Sequence, residues 1–455
     1  MNIQLTRFLS ALSRATDYVE AQVLNVPHYH GRRVAVLTNR LARRMGLDEE
    51  LVYGVTQAAV LHDCALTEYL EDELSVDGRE REEMDMSRHC LSGEKLLYNF
   101  PFYRRVRGAV LYHHDRADGA GAMGKRADET PIYSQLIHIA DRADVSFGLS
   151  DMTPEKHRAL MDWIRANSGT AFAPDIARLF TEAVDYELLK SVEGERCIET
   201  LEALLPDVTV DVPIALLREM SSAFGFITDY KSHFTWRHSL GIADKAERMG
   251  QFYGCSREEC DKLYIAGALH DIGKLLISND ILEKPGRLTP EEYREITNHA
   301  IGTWELLHGI GGMEDITRWA ALHHEKLDGS GYPFGCRAAD LGRNERLMAC
   351  LDIYQALVEE RPYKSGMSHE EAIAILRPMG EAGQLDAGII DDIDACYALH
   401  REKSDARAKR PEARQRYAGE AWRCPVCGYV HEGPLPRDII CPRCEQPGSV
   451  FERVG

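Results

Sequence analysis

Long apolar runs are missing from this chain. No stretch of about 18 consecutive apolar residues occurs in its 455 residues, so no membrane-spanning helix is predicted. The opening MNIQLTRFLSALSRATDYVE mixes charge into every turn and lacks the apolar block of a secretion signal, so a cytoplasmic location is expected. Positive charge is also in short supply. The 54 Lys and Arg stand against 73 Asp and Glu, a formal charge of −19. That balance argues against DNA, RNA or a membrane surface as partner, because those polyanions are gathered by basic surface. An anionic substrate would have to be met by bound metals or a few local cations. Strand-type alternation is scarce before residue 420. Finally, Cys64, Cys90, Cys197, Cys255, Cys260, Cys336, Cys350 and Cys396 lack any disulfide-framework spacing and read as reduced thiols.

What is abundant is helical periodicity. Val34, Leu37, Leu41 and Met45 step by three or four, as do Ile242, Ala246, Met249 and Tyr253. Gly- and Pro-containing loops such as GYPFG, EKPGRLTP and NSGTAFAP interrupt the pattern, and an all-α fold is predicted. The chain also repeats itself. His30, His62-Asp63, His89, His113-His114 and Asp141 align with His238, His270-Asp271, His299, His323-His324 and Asp352 at offsets of 208, 208, 210, 210 and 211. A register that drifts by three residues over more than a hundred marks a duplication. The predicted organisation is therefore a first helical domain at 1–190, a helical connector at 191–214, a second helical domain at 215–400, a charged linker at 401–420 and a small module at 421–455. The last is too short to fold well without a staple such as a metal.

In the second repeat, five histidines and two aspartates without a thiolate suit a borderline divalent metal such as Fe, Mn or Zn. Seven ligands exceed the needs of one ion, and a carboxylate can bridge two, so Asp271 is the expected shared ligand of a binuclear centre. Such a centre favours hydrolysis of a phosphate ester, since two cations clamp the phosphoryl oxygens and make water a nucleophile near neutral pH. Lys274, one turn beyond Asp271, is positioned to offset charge on the phosphate oxygens, so Asp271 and Lys274 are the catalytic candidates. The glycines of DGSGYP permit a tight lip, on which Tyr332 either packs or contacts a base.

These residues resemble the HD-GYP phosphodiesterases, a branch of the HD metallohydrolase superfamily, over residues 225–400. The resemblance rests on HDIGK at 270–274, His299, HHEKLDGSGYP at 323–333, Asp352 and RPYK at 361–364, with DYKSHFTWRHS at 229–239 supplying His238. It implies an all-helical domain whose two metals, Fe or Mn, linearise a cyclic dinucleotide, chiefly cyclic di-GMP. His238, His270, Asp271 and Asp352 would hold one metal, and Asp271, His299, His323 and His324 the other. Lys274, Tyr332, Arg361 and Lys364 would bind substrate. Members of the family with a third metal carry a Glu where this chain has Phe234, so two metals are expected. Gln355 stands where the family often has an acidic residue.

The first repeat keeps every presumed ligand (His30, His62, Asp63, His89, His113, His114 and Asp141) and loses the substrate-handling residues. Leu66 replaces the Lys, Asp115 replaces the Glu after the His pair, and Gly121-Ala122-Met123 replaces the GYP lip. Buried His and Asp are costly without a partner, so their retention points to a second di-metal site, sensory or structural in role. The alternative is a duplicated domain kept for packing, its ligand-like residues forming a hydrogen-bonded core. Cys424, Cys427, Cys441 and Cys444 form CxxC, thirteen residues, CxxC, a tetrahedral four-thiolate site for iron or zinc. The surrounding sequence resembles the rubredoxin-like domain of rubrerythrins, which implies one iron and an electron-transfer partner. Two readings compete with hydrolysis: a redox- or oxygen-sensing diiron protein that binds nucleotide without turnover, and a diiron oxygenase of the wider HD superfamily.

Overall fold

The computed structural model describes residues 1–24, 26–65, 86–98, 100–205, 209–231, 238–282, 284, 286–359, 366–407, 421–423, 430–432 and 452–453. The fold is helical, as predicted, with short strands at β1 (Asn2–Gln4), β2 (Thr209–Asp211), β3 (Ala421–Arg423), β4 (Val430–Glu432) and β5 (Glu452–Arg453). The chain divides into two compact units. Residues 1–22 belong with 207–410, and residues 23–206 with 411–455.

The helices of residues 1–206 are α1 (Leu5–Leu24), α2 (His30–Met45), α3 (Glu49–Val60), α4 (Ser87–Leu97), α5 (Ile132–Phe147), α6 (Pro154–Ala166), α7 (Pro174–Ala183), α8 (Tyr186–Ser191) and α9 (Arg196–Leu204). Those of the second half, apart from the single turn Asn279–Leu282, are α10 (Ile214–Lys231), α11 (His238–Phe252), α12 (Arg257–Leu269), α13 (Pro290–Leu307), α14 (Glu314–Ala321), α15 (Arg343–Val358), α16 (His369–Glu381) and α17 (Ala387–Arg407). The duplication is visible element by element. α2 packs on α3 and α5 as α11 packs on α12 and α15. The apolar steps seen in the sequence mostly face inward: Val34, Leu37, Leu41, Ile242, Ala246 and Met249 are fully buried, while Met45 and Tyr253, at the helix ends, are partly exposed. Matching N-caps start α6 and α16, where Thr153 accepts from Lys156 N and Ser368 from Glu371 N.

One feature departs from the expected division. The first 22 residues, assigned from sequence to the first repeat, join the second. β1 pairs antiparallel with β2, the Met1 amine donates to Val212 O at 2.8 Å, and Gln4 Oε1 accepts from Gly311 N at 3.1 Å. Ile3, Leu5, Phe8, Leu9 and Leu12 are buried. Gly312 has φ +89°, and a Cβ there would lie 2.1 Å from Asn2 O, so only glycine lets the strand approach this closely. A three-residue strand paired across two hundred residues leaves no periodicity for a local pattern to detect.

Candidate functional site

In the second repeat the seven candidate side chains arrive from five places. His238 opens α11, and His270 caps α12 with Asp271 beginning the following 3-10 turn Ile272–Leu276. His299 lies in α13, the His323-His324 pair follows α14, and Asp352 is in α15. Gly273 lets the turn press on α13: a Cβ there would meet His299 O at 2.0 Å, and Gly273 N donates to Thr303 Oγ1 at 3.0 Å. That contact brings Asp271 against the later histidines. His299 Nε2 lies 3.4 Å and His323 Nε2 3.8 Å from Asp271 Oδ1, and His270 Nε2 lies 3.1 Å from Oδ2. On the other side His238 Nε2 is 3.2 Å from Asp352 Oδ1, and His324 Nδ1 is 3.4 Å from Oδ2. All seven are buried or nearly so.

The imidazoles are oriented from behind. His270, His299 and His323 each turn Nδ1 to the carbonyl three residues back, at 2.8, 2.6 and 2.6 Å, which leaves Nε2 pointing into the cluster. A histidine that donates its outer N–H to a carbonyl presents the lone pair of its inner nitrogen, as a metal requires. Buried atoms without a hydrogen-bond partner collect on this inner face, among them His270 Nε2 and Asp271 Oδ1. Burial alone would raise the Asp271 carboxyl, but His270 and Lys274 outweigh it and hold it well below the usual range. Burial likewise pushes His299 down to about 4, keeping it neutral at physiological pH. His238 behaves otherwise: against burial, Asp352 and Glu359 raise it to about 9. Imidazoles that burial keeps neutral at His299, His323 and His324, beside ionised aspartates and with orphaned acceptors facing one another, fit divalent cations.

The substrate-side candidates divide. Lys274 reaches Asp271, and its ammonium is stabilised by that carboxylate against burial. Tyr332 lies over the site with its ring 4.7 Å from that of His324. The lip that carries it is held by Glu325, which accepts from Phe334 N, Gly335 N and Cys336 N at 2.7, 3.1 and 2.9 Å. Arg361, Lys364 and Phe234 lie outside the described residues, as do Leu66, Cys424, Cys427, Cys441 and Cys444.

The first repeat assembles the same seven residue types. His89 Nε2 stands 2.9 Å and His113 Nε2 3.5 Å from Asp63 Oδ1, with His62 Nε2 3.4 Å from Oδ2. His30 Nε2 is 3.3 Å from Asp141 Oδ1, and His114 Nδ1 3.8 Å from Oδ2. His62 and His113 also turn Nδ1 to the carbonyl three residues back, and His62 Nε2 and Asp141 Oδ2 lack hydrogen-bond partners. The lip differs. Asp115 accepts from Met123 N at 2.7 Å and Lys125 N at 3.3 Å, and the bridge closing the loop joins Asp118 to Arg126, where the second repeat joins Asp328 to Arg337. The loop is one residue shorter and its anchoring acid one methylene shorter. This deletion is the step from 210 to 211 in the repeat offset.

Sequence reasoning missed the carboxylates that orient the first histidine of each set. His30 Nδ1 meets Asp144 Oδ2 at 2.7 Å, and His238 Nδ1 meets Glu359 Oε2 at 3.1 Å. The acidic position three after Asp141, set against Gln355 in the other repeat, was the available signal.

Comparison with known proteins agrees with this geometry. HD-domain profiles match residues 28–146 and 224–389, and the profile of the rubrerythrin, rubredoxin-like domain matches 422–452. A 3'3'-cGAMP-specific phosphodiesterase 1 of Vibrio cholerae is 29% identical over 401 residues, spanning 86% of this chain and 91% of that protein. The 3'3'-cGAMP-specific phosphodiesterase 3 of the same organism is 31% identical over 63% of this chain and 62% of its own length. A cyclic di-GMP phosphodiesterase of Thermotoga maritima is 30% identical over 42% of this chain and 51% of its own. The crystal structure of the V. cholerae cyclic GMP-AMP-specific phosphodiesterase V-cGAP3 superposes with a TM-score of 0.60, covering 88% of this chain and 99% of that one at 22% identity, a likeness of fold. With two HD domains, a rubredoxin-like domain and the HD-GYP pattern in its second half, the chain belongs to the HD-GYP family.

Proposed function

We propose that this protein is a metal-dependent phosphodiesterase that opens a cyclic dinucleotide at the site formed by His238, His270, Asp271, His299, His323, His324 and Asp352. The observation that carries the reading is the inward convergence of these side chains beside a half-buried Lys274 and under Tyr332. His238, His270, Asp271 and Asp352 would hold one cation, Asp271, His299, His323 and His324 the other, and iron or manganese suits this donor set. Such cations, when bound, polarise the phosphate and provide a nucleophile from water at neutral pH.

The protein's own groups do the rest. Asp271, kept ionised, sits between the two halves of the cluster and can serve both. Lys274 keeps its proton although half-buried, so it presents a fixed positive charge where negative charge grows on the phosphate. Tyr332 roofs the site with a flat, mostly buried ring that a nucleobase can stack on. The proteins that align over most of their length act on cyclic GMP-AMP, and other relatives on cyclic di-GMP, so the substrate we propose carries at least one guanylate. Incubating reduced, metal-loaded protein with cyclic di-GMP and 3'3'-cGAMP tests the reading; if neither is opened, it fails.

The first repeat, by the same donor geometry, would hold metal without hydrolysing, since Ala122 stands where Tyr332 does and no Lys follows His62-Asp63. The four cysteines of the rubredoxin-like domain would carry one iron, or zinc in its place. Iron there beside His/Asp diiron sites favours control by redox state. Lys274 and Tyr332, which a non-hydrolysing site has no need to keep, favour turnover over the competing sensor without turnover.

A further inference from the structure

The two repeats hold their first histidine in different ways. In the first, Asp144 Oδ2 accepts from His30 Nδ1 at 2.7 Å, while its Oδ1 accepts from Arg33 Nε at 2.8 Å and from Leu149 N at 2.9 Å. The equivalent positions in the second repeat are Gln355 for Asp144 and Gly241 for Arg33. Both members of the ion pair have been removed together. Gln355 fills the space beside Gly241, where a Cβ would lie 2.3 Å from its Nε2 and 2.7 Å from its Cδ. A neutral amide has no formal charge to offset a histidine drawn toward a cation. The charge is supplied one turn later: Glu359 N donates to Gln355 O at 3.0 Å, and Glu359 Oε2 lies 3.1 Å from His238 Nδ1. At that position the first repeat has Gly148, which ends α5 with φ +56° and carries no side chain.

We infer that Glu359 is the positioning residue for the second site: the carboxylate that orients His238 has moved one helical turn, from the place Asp144 occupies to the end of α15. It acts through His238 and touches neither substrate nor reacting atoms. By accepting from Nδ1 it fixes the tautomer that presents Nε2 toward Asp352, and its charge strengthens that nitrogen as a donor. The inference rests on the metal reading proposed above.

The test uses the full-length protein, with Mn2+ as the probe, dialysed against buffers of graded free Mn2+. Glu359→Gln is expected to weaken binding of one ion per chain by about 10- to 100-fold and leave the others unchanged, the usual effect of removing a ligand's outer partner. Turnover of the variant should then recover as Mn2+ is raised, an effect on metal demand more than on kcat. The triple variant Gly241→Arg, Gln355→Asp, Glu359→Gln rebuilds the first repeat's arrangement. Aspartate lacks the Gln355 atoms that a side chain at 241 would strike, so the exchange fits sterically, and Mn2+ affinity should return. Unchanged affinity in Glu359→Gln overturns the inference. So does a loss that the triple variant fails to restore, since that would be packing damage. A wild-type chain that binds no Mn2+ removes the underlying metal reading as well, which separates the two failures.

Discussion

The two halves of this protein are a natural experiment in what a duplicated site can lose. Both bring five imidazoles and two carboxylates to one buried point, with matching carbonyls behind His62 and His270 and behind His113 and His323. They part at the rim. The second repeat has Lys274 against Asp271 and Tyr332 above the site; the first has Ala122 at the lip and a loop cut by one residue. On the metal reading proposed above, a site that kept its interior and altered its rim would be altered in what it does with substrate, because an unpaired buried donor set is costly to retain. Packing tells the same story: Gly273 faces Thr303 in one repeat, and Ala65 faces Gly93 in the other, so the small residue has changed sides of one preserved contact.

The largest expected effect lies on one side only. Replacing His270 and Asp271 by Ala should cost at least about a thousandfold in hydrolysis of a cyclic dinucleotide, whereas His62→Ala with Asp63→Ala should leave the second repeat's chemistry in place. Rates measured in the two double variants check this, and equal losses would break the contrast.

Lys274→Leu, which imposes the first repeat's rim on the second, should lower kcat by about 100- to 1000-fold with bound metal unchanged, the scale of losing one preorganised charge at the reacting oxygen. Kinetics with elemental analysis of the same sample decide it. A fall in metal content instead would make Lys274 a structural partner of Asp271.

Metal removal should reveal what the repeats share. A ligand present at 100 times its dissociation constant favours the folded state by about 100-fold, so chelation should lower the melting temperature of wild type. His113→Ala with His114→Ala should shrink that shift and reduce bound metal while hydrolysis persists. Unchanged metal content in this variant would turn the first cluster into a packed, hydrogen-bonded core.

The smallest effect belongs to the roof. Tyr332→Ala should raise KM by about 10-fold or somewhat more, as expected for one lost base-stacking contact, with kcat less affected. A kcat effect alone would place the tyrosine in packing.

Much of this contrast could be read in the sequence because its signals are local or repeated. Adjacent His-Asp and His-His pairs fix their own mutual geometry, and the constant offset ties distant pairs to one site. The paired carboxylates were harder. Asp144 and Glu359 differ in position between repeats, so alignment of one half on the other hides their common role, and Gln355 alone gave no sign that the charge had moved along the same helix face. The pairing of β1 with β2 was invisible for a different reason: three residues carry no pattern, and their partner lies two hundred positions away.

That pairing bears on how the chain matures at the ribosome. Residues 2–4 are translated some two hundred codons ahead of the strand they pair with and some three hundred ahead of the Gly311–Gly312 corner they join. At 5–20 residues per second the leading segment, with Ile3, Phe8 and Leu9, waits roughly 15 to 60 s for its seat. Residues 23–206 leave the exit tunnel complete during that interval. Synthesis thus tends to finish the half with the altered rim before the other half can close around its own first strand.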